Sequence, residues 1–140
     1  MDPTKKGGVV NDIPYTLKIA KRITKASGKF LLDFHYSDTW TDPAHQQKPI
    51  AWNDMDYSTL LKKVKSYTHD TLMILRKEGC FPSKVQIGNE INPGMIHQDG
   101  EIYWKGEKKE KSWKQFCELF KAGIQGAKKA EHNNELEIIS

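Results

Sequence analysis

The chain has 140 residues, one domain's worth or a piece of a larger one, and its 37% hydrophobic and 29% charged content describes a folded, soluble chain rather than a disordered one. No apolar run approaches the ~20 residues of a membrane span, and the N-terminus lacks the apolar h-region of a signal peptide. The net charge of +4 comes from scattered lysines, and the densest run, Lys105 to Lys111, is interrupted by Glu107 and Glu110, as in a solvated loop and not a nucleic-acid stripe.

In chain order, Asn11 and Asp12 can cap a helix that Pro14 helps to start. Ile13, Leu17, Ala20 and Thr24, with Ile19, Ile23 and Ala26 beside them, form its apolar stripe. Ser27-Gly28 ends it, with Gly28 expected as the left-handed cap. A strand follows over Lys29 to His35. Phe30, Leu32 and Phe34 point toward helices, and Leu31, Asp33 and His35 point the other way. The loop from Tyr36 to about Met55 is long enough to be functional, and Trp40 and Trp52 argue against disorder. A second helix is expected from near Asp56 to Glu78, buried along Leu61, Val64, Thr68, Leu72 and Leu75 and closed by Gly79. Cys80 and Cys117 follow no metal spacing and read as free buried thiols.

Lys84 to Glu90 then reads as a buried strand ending in a carboxylate. Val85 and Ile87 face one side, and Gln86, Gly88 and Glu90 the other. An inward polar row is costly unless paired or used. A Glu at the C-terminal end of a parallel strand stands where α/β barrels place their chemistry, and Asn89 and Gly88 beside it leave room for a ligand. A second long loop runs from Ile91 to Lys111. Ser112 to Gln115 reads as a capping box opening a third helix with Phe116, Phe120, Gly123, Ile124 and Ala127 inward. Asn133-Asn134 breaks that helix, and Glu135 to Ser140 begins a further strand. Helix alternating with strand predicts parallel strands joined by right-handed crossovers. Three such strands cannot close, so residues 1–140 are expected to be a fragment of one larger α/β barrel.

Two segments together carry a resemblance. Leu31-Leu32-Asp33-Phe34-His35-Tyr36-Ser37-Asp38-Thr39-Trp40-Thr41-Asp42-Pro43 resembles the third-strand motif of glycoside hydrolase family 53, the arabinogalactan endo-β-1,4-galactanases. Val85-Gln86-Ile87-Gly88-Asn89-Glu90-Ile91 resembles the fourth-strand motif of the same family. Gln47 to Trp52, Tyr67-Thr68, and Asp2-Pro3, Gly7-Gly8 and Asn11-Asp12 fit as well.

The resemblance implies a partial (β/α)8 TIM barrel, running from the helix after strand 2 to the start of strand 5, and retaining endo-hydrolysis of β-1,4-galactosidic bonds. Glu90 matches the general acid/base and Asn89 the residue that bonds the sugar 2-hydroxyl. His35 matches an active-site histidine, and Tyr36, Asp38 and Trp40 match the substrate-lining loop. The nucleophile, a Glu on the seventh strand, has no counterpart here, and the calcium site of bacterial members falls outside these residues. The implied partner is galactan or arabinogalactan, with no cofactor, no nucleic acid and no membrane span. A polymeric substrate implies an extracellular, cell-surface or periplasmic location.

The chemistry agrees. Retaining hydrolysis uses two carboxyls about 5–5.5 Å apart, and the proton donor's pKa must be raised by its surroundings. Asp33 and His35 can instead form a structural pair; Asp33 is read as structural, and His35, at the strand end on the active face, as a substrate contact. A metal held by Asp33, His35 and His45 is disfavoured because His45 has no fixed spacing to the others. His69, His97 and His132 read as surface residues. The alternatives are a catalytically dead remnant that binds a glycan or partner, and a barrel glycosidase for another β-glycan.

Overall fold

The computed structural model describes residues 11–104, 107–108 and 110–140, with the side chains of 11–102 and 112–140. The expectations placed on Asp2 to Gly8 and on the side chains of Lys105 to Lys111 lie outside the described residues. Three helices, α1 (Ile13–Lys25), α2 (Tyr57–Lys77) and α3 (Glu110–Ala130), alternate with three strands, β1 (Leu31–Phe34), β2 (Lys84–Ile87) and β7 (Glu137–Ile139). The strands are parallel in the order β1-β2-β7, with Phe34 opposite Ile87 and Gln86 opposite Ile139. Parallel pairing places the ends of β1 and β2 at the same edge, so the segments after Phe34 and after Ile87 meet there.

The helix ends follow from local chemistry. Asp12 caps α1 through the Tyr15 amide at 2.9 Å, and Asp56 caps α2 through the Thr59 amide at 2.8 Å. Both helices close in the same motif: the amides of Gly28 and Cys80 return to the carbonyls of Ile23 and Leu75. The left-handed residue in each motif is the one before. That is Gly79 in α2, as expected, but Ser27 (φ 59°) in α1, which corrects the assignment to Gly28. Gly28 is there for space, since a Cβ would stand 2.8 Å from Ile23 Cγ2.

The core lies between the sheet and α2 and α3. Phe34, Val85 and Ile87 point into it, as the alternation predicts, and meet Leu60, Val64, Leu72 and Leu119. Burying each such side chain stabilises by roughly 1.5–3 kcal/mol. Phe30 and Leu32, on the same face, are half-buried against Leu17, Ala20, Leu75 and Cys80. Gly126 brings α2 and α3 together, since a Cβ there would lie 2.4 Å from the Lys65 carbonyl.

Several expectations are corrected. On α2, Val64, Thr68, Leu72 and Leu75 are buried as expected, but the buried row opens with Leu60, and Leu61 lies at the margin. Helix α3 starts at Glu110, so Ser112 sits inside its first turn and does not cap it. Its buried row is Leu119, Ala122, Gly123, Gly126, Ala127 and Ala130. Of the expected stripe, Gly123 and Ala127 are buried, while Phe116, Phe120 and Ile124 pack only partly against the core and stay half-exposed among the described residues. The second loop is not featureless: β3 (Gly94–Met95) pairs antiparallel with β4 (Gly100–Glu101), and β5 (Tyr103–Trp104) with β6 (Glu107–Lys108). The first loop contains one 3-10 turn, Ile50–Trp52, which buries Trp52. His97 and His69 are half-buried rather than on the surface, whereas His132 is exposed.

Candidate active site

The strand before Glu90 ends early. The alternating row stops at Ile87, and Gly88 takes a φ of 82°, open to glycine at no steric cost. Its amide still bonds the Phe34 carbonyl at 3.0 Å, and a Cβ there would strike Ile91 Cγ2 at 2.5 Å. The chain turns, and Glu90 itself adopts a φ of 51°. The carboxylate is therefore presented by a turn and not by the last residue of a strand. It is exposed and lines a cleft of about 500 Å³ with Gln86, Asn89, Trp113, Phe116 and Phe120. Among the described residues Glu90 contributes the one side-chain carboxylate in that lining.

Asn89 joins this cleft to the end of β1. Its Nδ2 donates to the Thr41 carbonyl at 2.7 Å. Thr41, fully buried, turns its hydroxyl and its amide to His35 Nδ1 at 2.8 and 3.3 Å. A backbone amide can only donate, so Nδ1 is the acceptor and the proton of neutral His35 resides on Nε2. That N–H meets Asp33 Oδ2 at 3.0 Å. Asp33, His35, Thr41 and Asn89 thus form one continuous relay of bonds. The Asp33–His35 contact is the structural pair weighed against the reading of His35 as a substrate contact. Both ring nitrogens of His35 are occupied within the chain, so it offers a ligand its ring edge. Trp40, 61% exposed, packs edge-on against that ring with centroids 5.2 Å apart.

The other candidates separate. Tyr36 was expected to line a substrate groove, and the structure corrects this. It is 1% exposed, stacks on Phe34 at 5.6 Å and bonds its hydroxyl to Thr68 at 2.7 Å. Burial pushes its phenol well above the ordinary range. Two residues past the end of β1 and at a φ of 51°, Tyr36 turns to the same side as Phe34, between the sheet and α2. Asp38 accepts the Ile50 amide at 2.8 Å and so braces the loop. His45 pairs with Asp42 at 2.9 Å, and that contact, together with the Ala44 amide, holds the Asp42 carboxyl below its usual range. Sequence reasoning missed Gln86, whose Nε2 donates to the Gly88 carbonyl at 3.1 Å, and Gln46, a buried amide between the two loops. Gln86 was legible in the inward row, but Gln46 carries no periodic signal.

Residues 1–139 match the family model described as Glycosyl hydrolase family 53. A Niallia circulans relative named "Uncharacterized protein in bgaB 5'region" is 40% identical over 95% of this chain and 36% of its own length. The "Endo-beta-1,4-galactanase" of Bacillus subtilis is 35% identical over 91% of this chain and 27% of its own. The solved "Ignisphaera aggregans GH53 catalytic domain" superposes with a TM-score of 0.84 at 34% identity, over 99% of this chain and 37% of that one. The chain therefore spans between about a quarter and somewhat over a third of the relatives it matches. Its parallel strands and covering helices are a partial (β/α)8 barrel. With a family match along almost the whole sequence, a parallel strand–helix order and a carboxylate presented at the shared strand ends, the chain belongs to glycosyl hydrolase family 53.

Proposed function

We propose that these residues form part of a retaining endo-β-1,4-galactanase acting on galactan or arabinogalactan, with Glu90 as its general acid/base. The observation that carries the reading is the Asn89–Glu90 turn at the common end of β1 and β2, opening on a cleft walled by Trp113, Phe116 and Phe120. The name of the Bacillus subtilis relative supports the substrate.

In the first step Glu90 gives its proton to the leaving glycosidic oxygen while a second carboxylate attacks the anomeric carbon. In the second, Glu90 takes a proton from the water that releases the glycosyl group. The second carboxylate comes from a later barrel strand. Asn89 uses its remaining N–H for the sugar 2-hydroxyl, a contact that strengthens as charge develops at the ring. Trp40 and the His35 ring edge offer an apolar platform to the C–H face of a galactose unit. Two carboxyls and water suffice, so the reaction needs no cofactor. A polymeric substrate sets the enzyme outside the cytoplasm.

The test grafts residues 1–140 in place of the matching segment of the Bacillus subtilis relative. Release of galacto-oligosaccharides from galactan with retained anomeric configuration is the expected result. A graft that folds and binds galactan without cleaving it would instead favour a glycan-binding remnant, and cleavage of another β-glycan would move the substrate.

A further inference from the structure

The geometry points to Gln46 as the positioning residue of this site, a buried amide that holds the Asn89–Glu90 turn by its backbone. The inference rests on the galactanase reading for its effect on rate, but not for its effect on structure.

Glu90 needs such a holder. Among the described residues its side chain makes no hydrogen bond or ion pair, so its place is set by its backbone. That backbone sits at a φ of 51°, unfavourable for a residue with a Cβ. Gln46 is 1% exposed in the middle of the first loop. A buried primary amide must find acceptors for both of its N–H groups. Nε2 finds the Asn89 carbonyl at 2.7 Å and the Asp42 carbonyl at 3.1 Å, with the Glu90 carbonyl at 3.5 Å on the margin of bonding. Two carbonyl acceptors also fix which end of the amide points at the turn.

The residue's own backbone completes the arrangement. The Gln46 carbonyl accepts the His97 amide at 2.7 Å, and Lys48 reaches Asp99 at 2.7 Å. The loop after β1, the turn after β2 and the β3–β4 hairpin therefore converge on one side chain and its backbone. Asn89 is gripped twice, through its carbonyl by Gln46 and through its amide by Thr41. Releasing the first grip frees the turn that aims Glu90, while the sugar-facing side chains stay in place. The loss therefore falls on the geometry of proton transfer and not on substrate binding. A misplacement of about 1 Å in a catalytic group is enough to cost about 10²-fold in rate.

Two variants separate positioning from bulk. Gln46→Leu removes both donors and leaves an apolar side chain one bond shorter. Gln46→Glu keeps the shape, donates one bond when protonated, and when ionised turns a charge toward two carbonyl oxygens. Hydrogen–deuterium exchange on the 140-residue chain is expected to quicken roughly tenfold over residues 88–98 in Gln46→Leu, with α2 unchanged. In the graft, kcat on β-1,4-galactan should fall about 10²-fold with KM little altered. Gln46→Glu should regain part of both as the pH is lowered, in a profile the parent does not share. Unchanged exchange over 88–98, exchange that rises equally over α2, or a Gln46→Glu variant that tracks Gln46→Leu at every pH would each overturn the inference. A parent graft that leaves galactan intact while the exchange pattern appears overturns the galactanase reading and leaves the clamp standing.

Discussion

The side-chain amide of Asn89 lies 2.7 Å from the backbone carbonyl of Thr41, so the segments following two neighbouring strands are one mechanical unit. Asn89→Ala leaves that carbonyl without its donor, a loss of about 1–3 kcal/mol where the group stays buried. On the proposed reading, in which the second N–H of Asn89 bonds the sugar 2-hydroxyl and strengthens as charge develops, kcat should fall further than KM rises. Steady-state kinetics of the graft on galactan check this. A raised KM at unchanged kcat would make Asn89 a ground-state contact only.

Glu90→Gln should lower kcat by about 10²–10⁴-fold on polymeric galactan, the usual worth of a positioned proton donor. On substrates with activated leaving groups the first step needs no acid, and added azide should restore part of the rate. Near-normal polymer hydrolysis by this variant would remove Glu90 from the mechanism.

Acid should weaken the β3–β4 region through His97. Desolvation holds its imidazole below the ordinary range, and the Glu101 carboxylate at 4.0 Å acts in the opposite sense without prevailing. The unfolded chain therefore takes up this proton first as the pH falls. The stabilising contribution is complete above the unfolded value of about 6.5 and is lost as the pH drops through the lower folded value. Urea midpoints measured across this window should slope less in His97→Gln than in the parent. Parallel slopes would dissociate His97 from the acid response.

Association of the isolated chain should run through β1. Among the described residues β1 is an outer strand of the sheet, and Leu31 on it is 41% exposed. Unpaired parallel edges invite strand addition, and a charge on the edge opposes it. Light scattering behind size exclusion should give a mass that grows with concentration, and Leu31→Lys should reduce that growth. A monomer at every concentration would contradict the edge argument.

What the sequence disclosed depended on the range of the signal. The cap at Asp12, the stop at Gly79 and the inward turn of Phe34, Val85 and Ile87 are matters of a few adjacent residues, and all were legible. The burial of Tyr36 was not legible, because it follows the end of β1 at a φ of 51° and its position within the family motif drew it into the binding loop. The early end of β2 was not, because the alternating row runs on through Gly88 while the dihedral angle that breaks it leaves no mark on hydropathy. The exposure of Phe116 and Phe120 depends on which neighbours are present rather than on spacing within α3. Gln46 is one of two adjacent glutamines in a polar loop. Only the meeting of three segments distant in sequence separates it from Gln47.

The left-handed backbone at Glu90 has a consequence for how this position can vary. A residue lacking a Cβ would relax there, and asparagine would be tolerated, whereas a carboxylate on a two-carbon arm is among the less comfortable occupants. Selection for thermal tolerance alone, applied to a library at position 90, should therefore enrich Gly and Asn and discard the acid. On the proposed reading of Glu90 as proton donor, the reaction sits where the backbone itself favours another residue, so improved stability and lost activity should arrive together in a single substitution.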